Sequence, residues 1–393
     1  MTTHPSLESL QGSYAWVDAI RKISYGPGCV TKALPQIMDL LGGKKALIVT
    51  GNSLRTKTDV VEKIEKILKE HGAYGDTFSE IGEHAPVAGI HRGIEAFKKS
   101  GADIIVAVGG GSPIDAVKVI ISYIQQQTGG TFVQQISIPT TLSAAEYTIG
   151  AGFTNEQGHK ESTTVHSPEL APAGIILDAE LTLPTPEQLW LATGLRALDH
   201  TVENFYKSTT PLPLKMLCYS AIADLFQYLP ISKANPQDLQ ARQMLQLASW
   251  MSIWPLKLEK SGPLGLSHSL GHKLGATYGI PHGITSCLTL AAVVNYKAQV
   301  ASTDDKQSLA RALFYLREPS TGSVDSDVRK LSYLIDDLVI RLGLKRTLKG
   351  YGVPKEDLPR IAQLAINTLL ALGEPESQLV EPQVVKLLES IYE

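Results

Sequence analysis

Between residues 45 and 139, short β-branched runs alternate with amphipathic segments, and this alternation limits the fold more than any other feature of the chain. KALIVT (45–50) reads as a buried strand, DIIVAV (103–108) as a second and VQQISIP (133–139) as a third. Between them, TDVVEKIEKILKEHG (58–72) sets Val61, Ile64, Ile67 and Leu68 at helical spacing with charges in the gaps. Gly72 is placed to end that helix as its C′ residue. HRGIEAFKKSG (91–101) and PIDAVKVIISYIQQQ (113–127) read as two further helices. Strands separated by helices of this length imply right-handed βαβ units and a parallel sheet.

After about residue 183 the texture changes. TPEQLWLATGLRALDHTVENFY, LKMLCYSAIADLFQYL, DLQARQMLQLASWMSIW, DVRKLSYLIDDLVIRLG and PRIAQLAINTLLAL all carry helical periodicity, with no convincing strand between them. The prolines of LTLPTPEQ suit a linker. The expected organisation is an α/β dinucleotide-type domain over 1–182 and an all-helical domain over 183–393. Residues 300–325 read as loops.

With 393 residues the chain is long enough for two domains and a substantial core. A formal net charge of −3 leaves no positive excess to hold a polyanion, so nucleic acid is not an expected partner. No apolar run is long enough to cross a membrane, and the N-terminus lacks a basic stretch followed by an apolar one. Cys29, Cys218 and Cys287 are few, odd in number and widely spaced, which fits free thiols in a reducing compartment. Cytoplasm is the expected location.

VAVGGGSPID runs from a strand into a helix. Gly109, Gly110 and Gly111 let backbone N–H groups come close to a phosphate, and the following helix start adds donors with a favourable dipole. Ser112 is placed to cap that helix, with Pro113 in its first turn. The alternative is a tight turn with no ligand, because the spacing is neither GxGxxG nor a Walker A loop. A second loop, IPTTLSAAEYT, leaves another strand carrying Thr140, Thr141, Ser143 and Thr148. Hydroxyls at the carboxyl edge of a parallel sheet are well placed to line a cofactor crevice.

Three of ten histidines, His268, His272 and His282, fall within GLSHSLGHKLGATYGIPHG. His268 and His272 are four apart and share a helix face, as do Arg196 and His200 in GLRALDH. Converging imidazoles would suit a divalent transition metal; the alternative is four histidines that separately satisfy hydrogen bonds in a helical core.

GGGSPID, the IPTT loop, ILDAELTLP, GLRALDH and SHSLGHKLGATYGIPHG occur in the order seen in iron-containing alcohol dehydrogenases, which the chain resembles over roughly 25–300. The resemblance implies a dehydroquinate-synthase-like fold, with the active site between a dinucleotide-binding domain and a helical domain, and a homodimer acting on a small molecule. It implies a pyrophosphate at Gly110, Gly111 and Ser112. It adds cofactor contacts from Gly109, Asp115, Thr140, Thr141, Ser143, Thr148, Lys160 and Leu181. The family's metal ligands are an aspartate and three histidines, and the histidines fall on His200, His268 and His282. His272 matches a histidine that lies near the substrate without binding the metal, and is a candidate proton donor.

The aspartate position holds Arg196. A unit charge about 4 Å from a dication, at an effective dielectric of ~20, costs on the order of 8 kcal/mol, and the attraction of a carboxylate is lost as well. The expectation is therefore no bound metal. A guanidinium can instead supply cationic hydrogen bonds to a carbonyl, or hold a carboxylate bidentately. In this respect the chain resembles maleylacetate reductases, which share the fold and the histidines, lack the metal-binding aspartate and work without metal. Its loops are similar to those of the fungal-type members.

In the alcohol dehydrogenases an aspartate after the first strand disfavours a 2′-phosphate. Gly51 stands there in this chain, followed by Asn52, Ser53 and Arg55. NADPH is thus acceptable alongside NADH, with Asn52, Ser53 or Arg55 to meet its phosphate. The leading expectation is a metal-free NAD(P)H-dependent reductase of a maleylacetate-type carbonyl, with Arg196 orienting an anionic group and His272 or His268 donating a proton. Two others stand beside it. One is an alcohol dehydrogenase with Zn or Fe on His200, His268 and His282; the other is a non-redox isomerase, cyclase or binding protein on the same fold.

Overall fold

The computed structural model describes residues 19–157, 160–162, 167–259, 261–373 and 375–393, without the side chains of 160–162 and 376. Eight strands occur among these: β1 (Lys22–Tyr25), β2 (Ala46–Val49), β3 (Tyr74–Phe78), β4 (Ile104–Gly109), β5 (Gln134–Pro139), β6 (Gly152–Thr154), β7 (Lys160–Ser162) and β8 (Gly174–Leu177). Six of them form a parallel sheet in the order β1-β8-β5-β4-β2-β3, and β6 and β7 make a separate antiparallel pair. Helices α1 (Val30–Leu41), α2 (Asn52–Lys57), α3 (Val60–Glu70), α4 (Val87–Ser100) and α5 (Gly111–Thr128) connect them.

Side-chain alternation along the strands explains why helices cover both faces. Ala46, Ile48, Ile104, Val106 and Val108 point into one core with Leu34 and Ile37 of α1 and Ile64 and Leu68 of α3. Leu47, Val49, Ile105 and Ala107 point into the other, with Ile90 and Ile94 of α4 and Val117 and Ile121 of α5. The three strands expected from sequence are β2, β4 and β5. The helix expected to stop at Gly72 does so, with His71 as its last capping residue and Gly72 at φ 74. Ser112 does not cap α5. Gly110 occupies the cap position, and the Ser112 hydroxyl instead accepts a hydrogen bond from the His84 amide at 3.0 Å.

The rest of the chain is helical: α6 (Glu187–Tyr206), α7 (Leu212–Ala234), α8 (Leu239–Ile253), α9 (Leu266–Tyr278), α10 (His282–Val300), α11 (Thr303–Ala310), α12 (Ala312–Tyr315), α13 (Val324–Arg341), α14 (Leu358–Ala371) and α15 (Glu381–Ser390). From Trp190 to Tyr206 every residue of α6 is buried, because α7, α10 and α11 pack against it. The loops expected over 300–325 are in part helical, since α11 and α12 fill 303–315. Ser302 starts α11 by accepting a bond from the Asp305 amide.

Two compact units result. The sheet unit comprises the described residues up to Thr185 together with Gln237–Gln246; the helical unit comprises Pro186–Pro236 and Leu247–Glu393. Gln237–Gln246 joins the sheet unit through side chains that satisfy backbone carbonyls there. Arg242 donates to the Thr182 carbonyl at 2.8 Å and Gln243 to that of Leu177 at 3.2 Å.

Candidate functional site

Chemistry gathers in one place in each unit. In the sheet unit, β4 runs straight into α5 through the glycine turn. A Cβ on Gly110 would lie 3.1 Å from Cγ2 of Thr141, and one on Gly111 would lie 3.3 Å from the Ser143 hydroxyl. The second loop packs closely on both glycines whether or not a phosphate binds, so their presence alone does not separate a redox enzyme from a non-redox one. Three of the four described non-glycine residues with positive φ border this turn: His84 (φ 61), Ala85 (φ 49) and Ala144 (φ 64). Strain of this kind persists only where surrounding contacts impose it, and it concentrates at ligand sites. Here Ser112 holds the His84 amide, while Thr154 of β6 donates its hydroxyl to the His84 carbonyl and its amide to that of Ala85.

Lys118 anchors the second loop from below. Its side chain is fully buried, and Nζ donates to the Ala145 carbonyl at 2.6 Å, the Thr148 hydroxyl at 2.6 Å, the Gly150 carbonyl at 3.2 Å and Asp115 at 3.2 Å. Thr148 is therefore committed to the loop itself. Thr141 donates to the Ser143 hydroxyl at 3.2 Å, and the Thr140 carbonyl accepts from Thr185. Leu181 sits in the core beside α1 and α3, 2% exposed. Gly51 precedes α2, and Asn52 and Ser53 are exposed. Arg55 is paired with Glu65 at 3.1 Å. The side chain of Lys160 lies outside the described residues.

In the helical unit, Arg196, Asp199, His200 and Glu203 line one face of α6 at spacings of three, four and seven. The Arg196 guanidinium, 2% exposed, donates to Ser286 of α10 at 3.1 Å and to Asp199 at 3.3 Å, and Nη2 contacts Nε2 of His268. Asp199 Oδ2 also accepts from Ser267 of α9 at 3.1 Å and from Ser286 at 2.5 Å. One turn on, Glu203 accepts from the amides of Gly265 (2.7 Å) and Ser267 (2.8 Å) and from the Tyr206 hydroxyl. It thereby caps the start of α9, the helix that carries His268 and His272. Gly283 allows α10 to meet α6, since a Cβ there would lie 2.7 Å from the Ala192 backbone.

This scaffold brings all four histidines together. Ring centroids are 5.0 Å apart for His200 and His268, 5.6 Å for His268 and His272, and 5.3 Å for His272 and His282. Burial and then the Arg196 charge hold His200 and His268 well below the usual imidazole range, so both are neutral at pH 7. A neutral His268 accepts from Arg196 through Nε2, and its Nδ1 faces Glu203 at 3.6 Å and Asp199 at 3.7 Å. Burial lowers Arg196 to about 10, opposed by Asp199 and Glu203. Burial, and then the Asp199 charge, push Glu203 up to about 8. Burial raises Asp199 too, while Arg196 and its hydroxyl donors favour the carboxylate.

The sequence matches the family described as iron-containing alcohol dehydrogenase over residues 21–179, and the C-terminal part of the same family over 190–392. The chain belongs to the iron-containing alcohol dehydrogenase family. It is an oxidoreductase. The maleylacetate reductase of Rhizobium sp. (strain MTP-10005) is 32% identical over 73% of this chain and 74% of its own length. A dehydrogenase of Alternaria alternata is 28% identical over 89% of this chain and 100% of its own length. The crystal structure of the Rhizobium reductase superposes with a TM-score of 0.79 at 26% identity, covering 97% of this chain and 99% of that one.

The family's iron does not fit the residues present. A guanidinium stands at the aspartate position and contacts a nitrogen of His268 that a metal would need. Asp199 and Glu203 come near His268 but already serve hydroxyl and amide donors. A metal drawn to them would strip those donors of their acceptors. Sequence reasoning passed over Glu203, Ser267, Ser286 and Lys118. Glu203 carried a signal, standing seven residues after Arg196.

Proposed function

We propose that this chain is a nicotinamide-dependent reductase acting on the carbonyl of an oxo acid of the maleylacetate type, with no resident metal ion. The carrying observation is Arg196: a buried guanidinium, fixed by Asp199 and Ser286, with Nη2 turned toward the histidines. A bound reduced nicotinamide supplies the hydride. Arg196 supplies the positive charge that stabilises the developing oxyanion or holds the substrate carboxylate. His268 accepts a hydrogen bond through Nε2, so that nitrogen has no proton to give. His272 is exposed and stands beside His282, and it is the residue that donates the proton to the alkoxide.

Gly51 presents no carboxylate to a 2′-phosphate, so NADH and NADPH are both admitted. Arg55 is engaged by Glu65, which leaves the exposed Asn52 and Ser53 as neutral donors. NADPH is tolerated more than it is selected.

The test is NADPH and NADH oxidation with maleylacetate, run on protein of measured metal content before and after chelation. Activity at substoichiometric metal that survives chelation is the expected outcome. Turnover that needs about one ion per chain would return the chain to metal-dependent alcohol dehydrogenase chemistry. Failure to bind either nicotinamide would favour a non-redox role.

A further inference from the structure

β2 pairs in parallel with β4, so the carboxyl end of β2, where α2 begins, lies next to the glycine turn. A Cβ on Gly109 would lie 3.7 Å from the Leu54 side chain, so α2 packs beside that turn. At the carboxyl edge of a parallel sheet, a dinucleotide sets its pyrophosphate on the glycine turn and its adenosine ribose beyond it, where a nearby arginine accommodates a 2′-phosphate. Arg55 follows Leu54 directly, yet its guanidinium turns to α3, with Nη1 3.1 Å from Oε1 of Glu65. Nη1 meets no acceptor at hydrogen-bonding angles, so the pair is a charge contact and not a bidentate fork. Glu65 is 6% exposed and is fixed from two further sides. The Thr77 hydroxyl of β3 donates to it at 2.7 Å, and Lys69 of α3 lies at 3.5 Å.

We infer that Glu65 sets the coenzyme preference of this chain, as a positioning residue that holds Arg55 away from the ribose 2′-phosphate of NADPH. The inference rests on the nicotinamide reading above and adds to it the residue that decides between the two coenzymes. A 2′-phosphate has to compete for the guanidinium with a carboxylate that is buried, preformed and always present. NADH brings only a 2′-hydroxyl to that position and meets no such competition. With Glu65 neutralised, Arg55 is released one residue from the glycine turn, and its planar fork matches a phosphate. Lys69 is the second cation on Glu65, so the carboxylate stays compensated if Arg55 is removed.

Isothermal titration of the full chain with NAD⁺ and with NADP⁺ reads this without any carbonyl substrate, since the two differ only in the 2′-phosphate. Glu65→Gln keeps the side-chain volume and still accepts from Thr77, and a thermal melt checks its fold. In this variant the affinity for NADP⁺ relative to NAD⁺ should rise about 10-fold, the scale of one hydrogen bond to a charged group. In Glu65→Gln/Arg55→Ala the ratio should return to the wild-type value or below. Arg55→Ala alone should move the ratio less than about threefold, because Glu65 already occupies the guanidinium; this variant tests the inference even if Glu65→Gln does not fold. An unmoved ratio in Glu65→Gln overturns the inference. So does a rise that survives in the double variant, which would assign it to Lys69, freed by the same change. A large loss of NADP⁺ affinity in Arg55→Ala overturns it too, by showing that Arg55 already reaches the phosphate. NAD⁺ binding with an unmoved ratio sinks the inference alone, whereas binding of neither nucleotide to any of these proteins sinks the nicotinamide reading with it.

Discussion

The two chemical regions of the molecule are built on opposite plans. The glycine turn of the sheet unit offers backbone amides and hydroxyls, and its charged group, Lys118, is sealed beneath the loop as an anchor. The α6–α9–α10 cluster of the helical unit lines the site with ionisable side chains: a buried arginine, two buried carboxyl groups and four imidazoles. A backbone-lined turn binds a ligand by shape and dipole and tolerates many side-chain changes nearby. A charge-lined cluster depends on each partner, because removing one leaves another buried and uncompensated. One substitution, arginine for aspartate at position 196, therefore changes what the second region can do.

The contrast can be broken in the sheet unit at the buried cation beneath its second loop. Lys118→Met takes one donor from each of the Ala145 and Gly150 carbonyls and removes the cation paired with Asp115, and a cost of about 3–5 kcal/mol is expected from breaking such a pair. Chemical denaturation would read that loss, and nicotinamide affinity should fall as the second loop loosens. Unchanged nicotinamide affinity would show that the loop does not need its anchor.

A smaller effect sharpens the comparison through pH. Glu146 is 1% exposed, and burial pushes its carboxyl from 4.5 up to about 7, against the pull of Lys118 and with a push from Asp115; Tyr147 adjoins it. The folded chain thus keeps a proton that the unfolded chain releases. The stability this group contributes is full below pH 4.5 and is lost as pH rises to about 7, roughly 3 kcal/mol across that window. Glu146→Gln should remove this component of the pH dependence, and should make the protein more stable than wild type at pH 8. A variant whose stability falls across the window as steeply as the wild type's would assign the slope to other groups.

How much of this was legible in the sequence follows from where each element lies. β2 and β4 carry continuous apolar runs because both their faces are covered, and β5, buried from Gln135 on, alternates Ile136 and Ile138 with Gln135 and Ser137. β1 and β3 are the two edges of the sheet, and KISY and YGDTF are only partly buried, so neither shows a buried run. β8, GIIL, is interior and fully buried, and it is not among the strands expected from sequence. Ser112 looked like a helix cap, and it is a hydroxyl that any nearby amide can claim; which amide claims it depends on the strained His84–Ala85 backbone. In the helical unit the histidines stood out by spacing. The serines that complete the Arg196–Asp199 pair did not, because Ser267, which donates to Asp199, and Ser286, which bonds both, lie on other helices and serine carries little local signal.

The account turns on Arg196 serving as the site's cation, and replacing it tests that most directly. Arg196→Ala, assayed for kcat/KM with maleylacetate and NADPH, should lose about 10²–10³-fold, the range seen when a donor to a developing oxyanion is removed. Added guanidinium ion should restore part of the loss, and Fe²⁺ or Zn²⁺ none of it. A variant that keeps wild-type kcat/KM, or that recovers with a divalent metal and ignores guanidinium, would contradict the account.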